Sequence, residues 1–349
     1  MTFKYSNVYI NDASLVAGPY EKKGPLGNTF DKTYDDLYLG KKTWEQAEVK
    51  LIEDSVDILL NKINKKKKDI DIHISGDLLN QIVATNYASA SIKIPLLGIY
   101  SACATSTESL IIGANMIEAN QIKNCICSVS SHNNAAEKQF RYPVEYGGPK
   151  PKTATFTVTG GTSSYLSSSK KGIKLESGTV GTVSELGITD SNHMGAIMAS
   201  SAGDTIHQHL TDLKREPNYY DLIITGDLGV YGSKIMLDYV KTKYGITIKN
   251  HKDAGLLIFD LDNQPVFAGG SGAACSTLVT YGHIFKLMKQ KELKKVLLVA
   301  TGSLLSTTMA FQKLGIPSIS HAVSLEVIQW YFLIHFYFVV QYVWLDKLY

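Results

Sequence analysis

The sequence of 349 residues is poor in cysteine and carries little net charge. Its four cysteines, Cys103, Cys125, Cys127 and Cys275, are too few for a disulfide framework in a chain of this length, so a reducing compartment is predicted. Cys125 and Cys127 are separated by one residue, which is not the spacing of a zinc site, and we expect no metal and no cofactor. A formal net charge of +3 does not favour nucleic acid as a partner. The start, "MTFKYSNVYIND", has no apolar run, so no signal peptide is predicted.

Three stretches of the first half recur in the same order in the second half. "DIHISGDLL" (71–79) matches "DLIITGDLG" (221–229), "SACATSTESL" (101–110) matches "AACSTLVTYG" (273–282), and "KNCICSVSSH" (123–132) corresponds to "KKVLLVATGS" (294–303). This order indicates an internal duplication with a period too long for a solenoid. Apolar strands that alternate with helices predict an α/β fold in which two parallel-rich sheets share a central helical layer.

Cys103 lies in the pattern of a sharp strand-to-helix turn. Small neighbours permit the turn, and Ser106, Thr107 and Glu108 suit a first helical turn. At a helix N-terminus the dipole favours a thiolate, so Cys103 is a candidate nucleophile. The alternative is a buried core residue, since free cysteine is among the most buried residue types. We expect Cys275, at the matching position, to be such a core residue.

Five long stretches carry a specific resemblance. They are "LVAGPYEKKGPLGNTFDKTYDD" (15–36), "YSACATSTESL" (100–110), "SSHNNAAEKQFRYPVEYGGPKPKTATFTVTGG" (130–161), "MGAIMASSAGDTI" (194–206) and "IPSISHAVSLE" (316–326). With them the chain resembles the thiolase and ketoacyl synthase superfamily and, within it, the stage V sporulation protein AD family. This resemblance implies a duplicated fold in a layered α-β-α-β-α arrangement with mixed five-stranded sheets. We place the N-terminal thiolase-like half at 1–185 and the C-terminal half at 186–326.

The resemblance implies binding rather than acyl transfer. The ligand expected from it is dipicolinic acid (pyridine-2,6-dicarboxylate), with or without Ca²⁺, and the role is uptake of dipicolinate into the forespore during sporulation. It further implies a location at the periphery of the forespore or spore inner membrane. Expected partners are the other stage V sporulation A-operon membrane proteins and a second copy of the chain in a homodimer.

Acyl transfer by Cys103, as in a thiolase or ketoacyl synthase, is the alternative function. In the ketosynthases that the chain resembles, a histidine follows the strand that matches 221–229, but here Gly226 and Asp227 stand there. A second histidine or an asparagine precedes the turn of the second half, where this chain has Gly270 and Ser271. A carboxylate cannot donate to an oxyanion, so Asp227 is no substitute for the missing histidine.

A small flat dianion calls for oriented N–H groups, a cation and an apolar slot. The predicted helix N-terminus at Cys103, Ala104 and Thr105 offers N–H groups. Arg141 is the leading cation, because its planar fork matches a carboxylate. It belongs to the segment "EKQFRYPVEYGGPKPK" (137–152), in which Gly147-Gly148-Pro149 predicts a loop and which also holds Phe140, Tyr142, Tyr146, Lys150 and Lys152. A solvated surface loop or a dimer contact is the alternative for this segment. The histidines placed to reach the same pocket are His132, His193 and His321, for each of which a structural role is the alternative.

The last 23 residues, 327–349, differ from everything before them. Eighteen are apolar, nine of those are aromatic, and none is Gly or Pro. A bilayer span needs about 20 apolar residues, and the aromatic bias suits a membrane interface better than a hydrocarbon core. A membrane anchor, a hydrophobic cap on the domain and an out-of-frame extension remain open, and we favour the extension.

Overall fold

A computed structural model describes residues 1–141 and 150–328 of the chain. Tyr142, Tyr146 and all of the predicted tail beyond Ile328 therefore lie outside the described residues. The helices of the described part are α1 Pro19–Lys22, α2 Trp44–Lys62, α3 Val83–Ile92, α4 Thr105–Glu118, α5 Asn133–Phe140, α6 Met194–Leu213, α7 Gly229–Tyr244, α8 Ala273–Val279, α9 Phe285–Lys289 and α10 Thr307–Phe311. The strands are β1 Thr2–Lys4, β2 Tyr9–Ala17, β3 Lys32–Thr33, β4 Ile72–Gly76, β5 Leu96–Gly98, β6 Asn124–Ser131, β7 Phe156–Thr157, β8 Gly160–Ser167, β9 Ile173–Val180, β10 Leu222–Thr225, β11 His251–Asp253, β12 Gly270–Ser271, β13 Lys295–Ser303 and β14 Ser318–Val327.

Helix α2 shows how local sequence sets an element. Its N-cap Thr43 accepts a hydrogen bond from the Gln46 N–H at 3.3 Å, and the Gln46 side chain accepts one from the Lys42 N–H at 3.3 Å. The Thr43 hydroxyl thus satisfies one of the N–H groups that a helix start leaves without partners, and the Gln46 side chain holds the residue before the cap. The apolar side chains of Leu51, Val56 and their neighbours at helical spacing are fully buried on one face.

The order of the strands shows the predicted duplication. One half of the sheet runs β5-β4-β6-β8-β2, and the other runs β11-β10-β13-β14-β9. Each half combines parallel pairs, such as β4 with β6, and antiparallel pairs, such as β6 with β8. The two mixed five-stranded sheets of a thiolase-like fold are therefore confirmed.

The two halves join edge to edge. Tyr9 and Ile10 of β2 pair with Lys174 and Ile173 of β9, which makes one continuous path of strands. In the strand order β9 corresponds to β2, and the boundary at residue 186 that we placed from the sequence stays a prediction.

Helices α4 and α8 form the layer between the sheets. Ser106 of α4 and Ser276 of α8 share a hydrogen bond of 2.9 Å in the interior. Cys275 is fully buried on α8, among the hydrophobic core residues, as predicted from its place in the repeat. Both helices begin at the carboxyl ends of strands, where α/β folds place their binding sites. Within residues 1–141 and 150–328, no helix combines the length and apolarity needed to cross a membrane.

Candidate functional site

The turn between β5 and α4 holds Cys103. Ala102 has φ of +50°, an uncommon conformation for a residue with a side chain, which allows the chain to reverse in one step. The Thr105 hydroxyl accepts from the Ser101 N–H at 2.9 Å and donates to the Ala102 carbonyl at 2.7 Å, which fixes the turn from inside. The predicted strand-to-helix turn at the cysteine is present.

The same hydrogen bonds limit what the helix N-terminus offers a ligand. The Ala104 N–H donates to the Ser101 carbonyl at 3.0 Å, and the Thr105 N–H donates to the Ala102 carbonyl at 3.2 Å. Neither group is free to hold a carboxylate while the turn keeps this form. A ligand here therefore depends more on side chains than the sequence led us to expect.

Burial and a neighbouring carboxylate keep the Cys103 thiol protonated. Burial raises the pKa of Cys103 well above its ordinary value, and the negative charge of Asp227 raises it further. Arg141 and the Gly272 N–H act in the opposite direction but do not offset the first two causes. A neutral thiol is a poor nucleophile, so the geometry disfavours Cys103 as an acyl acceptor at neutral pH.

Asp227 is held where β10 ends. It is fully buried, and burial raises the pKa of its carboxyl to about 7 in spite of the hydrogen bonds it accepts. The Gly272 N–H donates to it at 3.1 Å, and the Thr301 hydroxyl donates to its other oxygen. Because the Gly272 N–H is occupied, it is not available to an oxyanion beside Cys103.

A narrow pocket opens above the thiol. It encloses about 420 Å³ of empty space including its mouth, of which only about 30 Å³ admits the centre of a water-sized sphere. Most of its lining is apolar and includes Leu78, Tyr100, Phe140, Met194 and Leu305. Since one water needs about 10–15 Å³ of such space, the pocket in this form has room for about two or three waters, and a ligand of the size of dipicolinate enters only if the walls move apart.

Arg141 lies in the wall of this pocket, not on the surface. Its side chain is only 4% exposed and forms an ion pair with Glu137, which Lys150 approaches at 3.2 Å. Nη2 of Arg141 also lies 3.5 Å from the Thr155 carbonyl, but Nη1 has no hydrogen-bond partner among the residues that the structure describes. Lys152 is exposed. A buried donor without a partner costs free energy, so Nη1 favours a ligand with an acceptor.

The three candidate histidines do not meet at the thiol. His132 is the N-cap of α5, where its Nδ1 accepts from the Ala135 N–H at 3.4 Å and its Nε2 bonds the Leu37 carbonyl at 2.7 Å. Burial lowers the pKa of His132 to about 4, so the ring is neutral. Both ring nitrogens are engaged, which is the structural role we held as the alternative.

His321 and His193 each lie next to a residue of the site. His321 is on β14, and its Nδ1 accepts a hydrogen bond from the Gly181 N–H at 3.2 Å. Its Nε2 lies 3.4 Å from the hydroxyl oxygen of Ser101. Burial lowers the pKa of His321 to about 4, so it supports the turn as a neutral ring. His193 precedes the pocket residue Met194 and packs edge-on against Tyr231, with its Nδ1 buried and without a hydrogen-bond partner in the described part of the chain.

Sequence reasoning discarded Asp227 because it cannot do the work of a histidine. The structure instead places its carboxylate beside Cys103, where its charge adds to the effect of burial and raises the pKa of the thiol further. The repeated "GDL" motif carried the signal, since Asp77 occupies the matching position of the first half. Asp77, however, accepts hydrogen bonds from the N–H groups of Leu79 and Thr85, both at 2.8 Å, and so holds the turn that follows β4.

Comparison with known sequences gives one family. The sequence profile of Stage V sporulation protein AD matches residues 1–326. The Stage V sporulation protein AD of Bacillus subtilis (strain 168) is 50% identical over 320 residues, which is 91% of this chain and 94% of that protein.

Solved structures give the fold. Cerulenin-bound OleA of Xanthomonas campestris matches with a TM-score of 0.60 at 14% identity, over 93% of this chain and 98% of that chain. The 3-oxoacyl-[acyl-carrier-protein] synthase III of Aquifex aeolicus VF5 matches with a TM-score of 0.52 at 12% identity, over 92% and 98%. At these identities the likeness concerns the fold alone.

Proposed function

This chain belongs to the Stage V sporulation protein AD family, and we propose that it binds dipicolinate in the pocket above Cys103 as a non-enzymatic component of dipicolinate uptake into the forespore. The observation that carries the proposal is the Arg141 side chain. It is a buried cation in the wall of a largely apolar pocket, and one of its nitrogens lacks a partner among the described residues.

Charge in the pocket supports a ligand with carboxylates. Arg141 and Lys150 bring two positive charges to the single carboxylate of Glu137. A carboxylate that reaches Arg141 Nη1 would complete its hydrogen bonding, and the apolar side chains would cover the faces of the pyridine ring. Within the described residues, no group of three or more His, Cys, Asp or Glu is placed to hold a metal. Calcium would then be coordinated by the oxygens of dipicolinate.

In this proposal Cys103 lines the pocket and does not act as a nucleophile. Its thiol stays protonated beside Asp227, and the histidines of the region are engaged elsewhere or lie at the rim. The strand-to-helix turn itself is the observation that favours the second candidate, an acyltransferase that uses Cys103 as nucleophile.

The binding experiment is titration calorimetry with dipicolinate, with and without calcium. Arg141→Ala is expected to weaken binding by about 1.5–3 kcal/mol, roughly tenfold to over a hundredfold, because a charge-assisted contact is lost. Cys103→Ala is expected to weaken it less. Lys152→Ala, an exposed cation in the same segment, is the matched control and should bind as the parent does.

Arg141→Ala also leaves Glu137 with Lys150 alone, so thermal melts must accompany the titration. Arg141→Lys keeps the charge beside Glu137 and removes the planar fork, and it should retain stability while binding more weakly than the parent. Normal binding by both variants would place the ligand elsewhere.

The second candidate has its own test. Incubation with acyl-CoA followed by mass spectrometry reports acylation of Cys103, and thiolysis or condensation assays report turnover. We expect neither. Turnover above background that disappears in Cys103→Ala would replace dipicolinate binding with acyl transfer.

A further inference from the structure

A second concave surface lies at the opposite edge of the sheet from β5, beside the edge strand β11. This groove, here called the β11 groove, offers about 210 Å³ to the centres of water-sized spheres. One water needs about 10–15 Å³ of such space, so the groove has room for a small organic molecule. It shares no lining residue with the pocket above Cys103.

The groove is apolar at its floor and cationic at its rim. The floor includes Leu257, Ile284 and Leu287, and the rim includes Lys249 and Lys252, both exposed. Neither lysine forms an ion pair with another residue of the described ranges. Both ammonium groups are therefore available to a ligand.

Two further groups show how that charge is distributed. His283 lies in the groove wall, and its pKa is lowered by burial and then by the positive charges of Lys252 and Lys286, while the negative charge of Glu292 acts in the opposite direction. The groove's carboxylate, that of Asp221, accepts the N–H groups of Lys294 and Lys295 at 2.6 and 2.9 Å, so it is committed to the start of β13. An anion at the rim would relieve the repulsion among the cations.

We propose that the β11 groove binds an amphipathic organic anion, with one carboxylate between Lys249 and Lys252 and an apolar body on the floor formed by Leu257, Ile284 and Leu287. The apolar floor selects against a bare inorganic anion, which would desolvate without gaining contact. The cationic rim selects against a neutral molecule with the same apolar body.

Calorimetry with three probes tests each half of this argument. Octanoate has both features, octanamide has the apolar chain without the charge, and inorganic phosphate has the charge without the chain. Octanoate is expected to bind at least tenfold more tightly than either of the others. Equal binding of octanamide or phosphate, or no binding of octanoate, overturns the inference.

Variants locate the site. The double variant Lys249→Gln/Lys252→Gln is expected to lose octanoate binding at least tenfold, whereas Lys170→Gln, a change at an exposed lysine outside the groove, should not. Octanoate should also raise the pKa of His283, followed by its ring proton resonance. Unchanged affinity in the double variant, or an unmoved His283, contradicts the proposal.

Two binding measurements on variants distinguish this inference from the function proposed above. Arg141→Ala should leave octanoate binding unchanged, and loss of binding there would place octanoate in the Cys103 pocket and refute the second site. Conversely, dipicolinate should bind Lys249→Gln/Lys252→Gln as it binds the parent. Each proposal therefore fails on its own result.

Discussion

The protonation of Cys103 is the property of the site that a single substitution tests most directly. Asp227→Asn removes the negative charge next to the thiol and keeps the shape of the side chain. The thiolate is the charged form that Asp227 opposes, so the pKa of Cys103 should fall. Burial, which is the larger cause, remains, so the pKa should still lie above that of a solvent-exposed cysteine.

The size of the fall follows from the charge interaction. Two unit charges about 4 Å apart interact by about 4 kcal/mol at an effective dielectric constant of about 20. One pKa unit corresponds to about 1.4 kcal/mol, so a fall of about one to three units is expected. Because the pKa of Asp227 is about 7, its carboxyl is ionised over the range in which the thiol would titrate. At a fixed pH this means roughly ten to a thousand times more thiolate.

Alkylation by iodoacetamide against pH, read by peptide mass spectrometry, measures this fall. Cys103 is 8% exposed and lines a pocket, while Cys125, Cys127 and Cys275 are at most 3% exposed, so the peptide that contains Cys103 should react first. In the parent we expect little alkylation near neutral pH. In Asp227→Asn the reaction profile should move to lower pH.

Asp77→Asn is the matched control, since Asp77 is the buried carboxylate at the same place in the other repeat. It should lower the melting temperature through the lost hydrogen bonds to Leu79 and Thr85 and leave the Cys103 profile unchanged. A parent thiol that titrates near the ordinary value of about 8.5, or a profile that Asp227→Asn does not move, would refute this account of the site.

Three further predictions concern stability. Burial raises the pKa of the Glu21 carboxyl from 4.5, its value in the unfolded chain, to about 8 in the folded protein. The folded state is therefore stabilised by the neutral carboxyl below about pH 4.5, and this stabilisation is lost as pH rises toward 8. Glu21→Gln should therefore stabilise the protein at pH 8 by up to about 5 kcal/mol, and melts that keep the parent's pH dependence would contradict this. Gly302→Ala should cost about 1–3 kcal/mol in urea unfolding, because a Cβ would lie 2.2 Å from the Ser101 carbonyl oxygen, and an unchanged midpoint would show that the turn yields. Deletion of 329–349 should leave the melting temperature and dipicolinate binding unchanged, since β14 ends at Val327, while unfolding of the truncated protein would assign the tail to the domain.

Much of the fold was predictable because its signals are local or repeated. The capping pair of Thr43 and Gln46, the apolar face of α2 and the repeated strand-to-helix motifs are each contained in a few consecutive residues. The correspondence between β9 and β2 is harder to see in the sequence. β9 pairs with β14 and with β2, and both partners are far from it in the chain, so no local pattern marks the strand as the counterpart of β2.

The sequence by itself determined the duplication, the family and the turn that carries Cys103, because repeated motifs and their order can be read from consecutive residues. Only the tertiary structure decided what surrounds the thiol. Asp227 and Gly272 reach Cys103 from the second half of the chain, and Arg141 turns into the pocket wall to meet Glu137. The pKa of a thiol and the hydrogen bonding of a guanidinium depend on distance and burial, and these quantities exist only once the two halves have packed together.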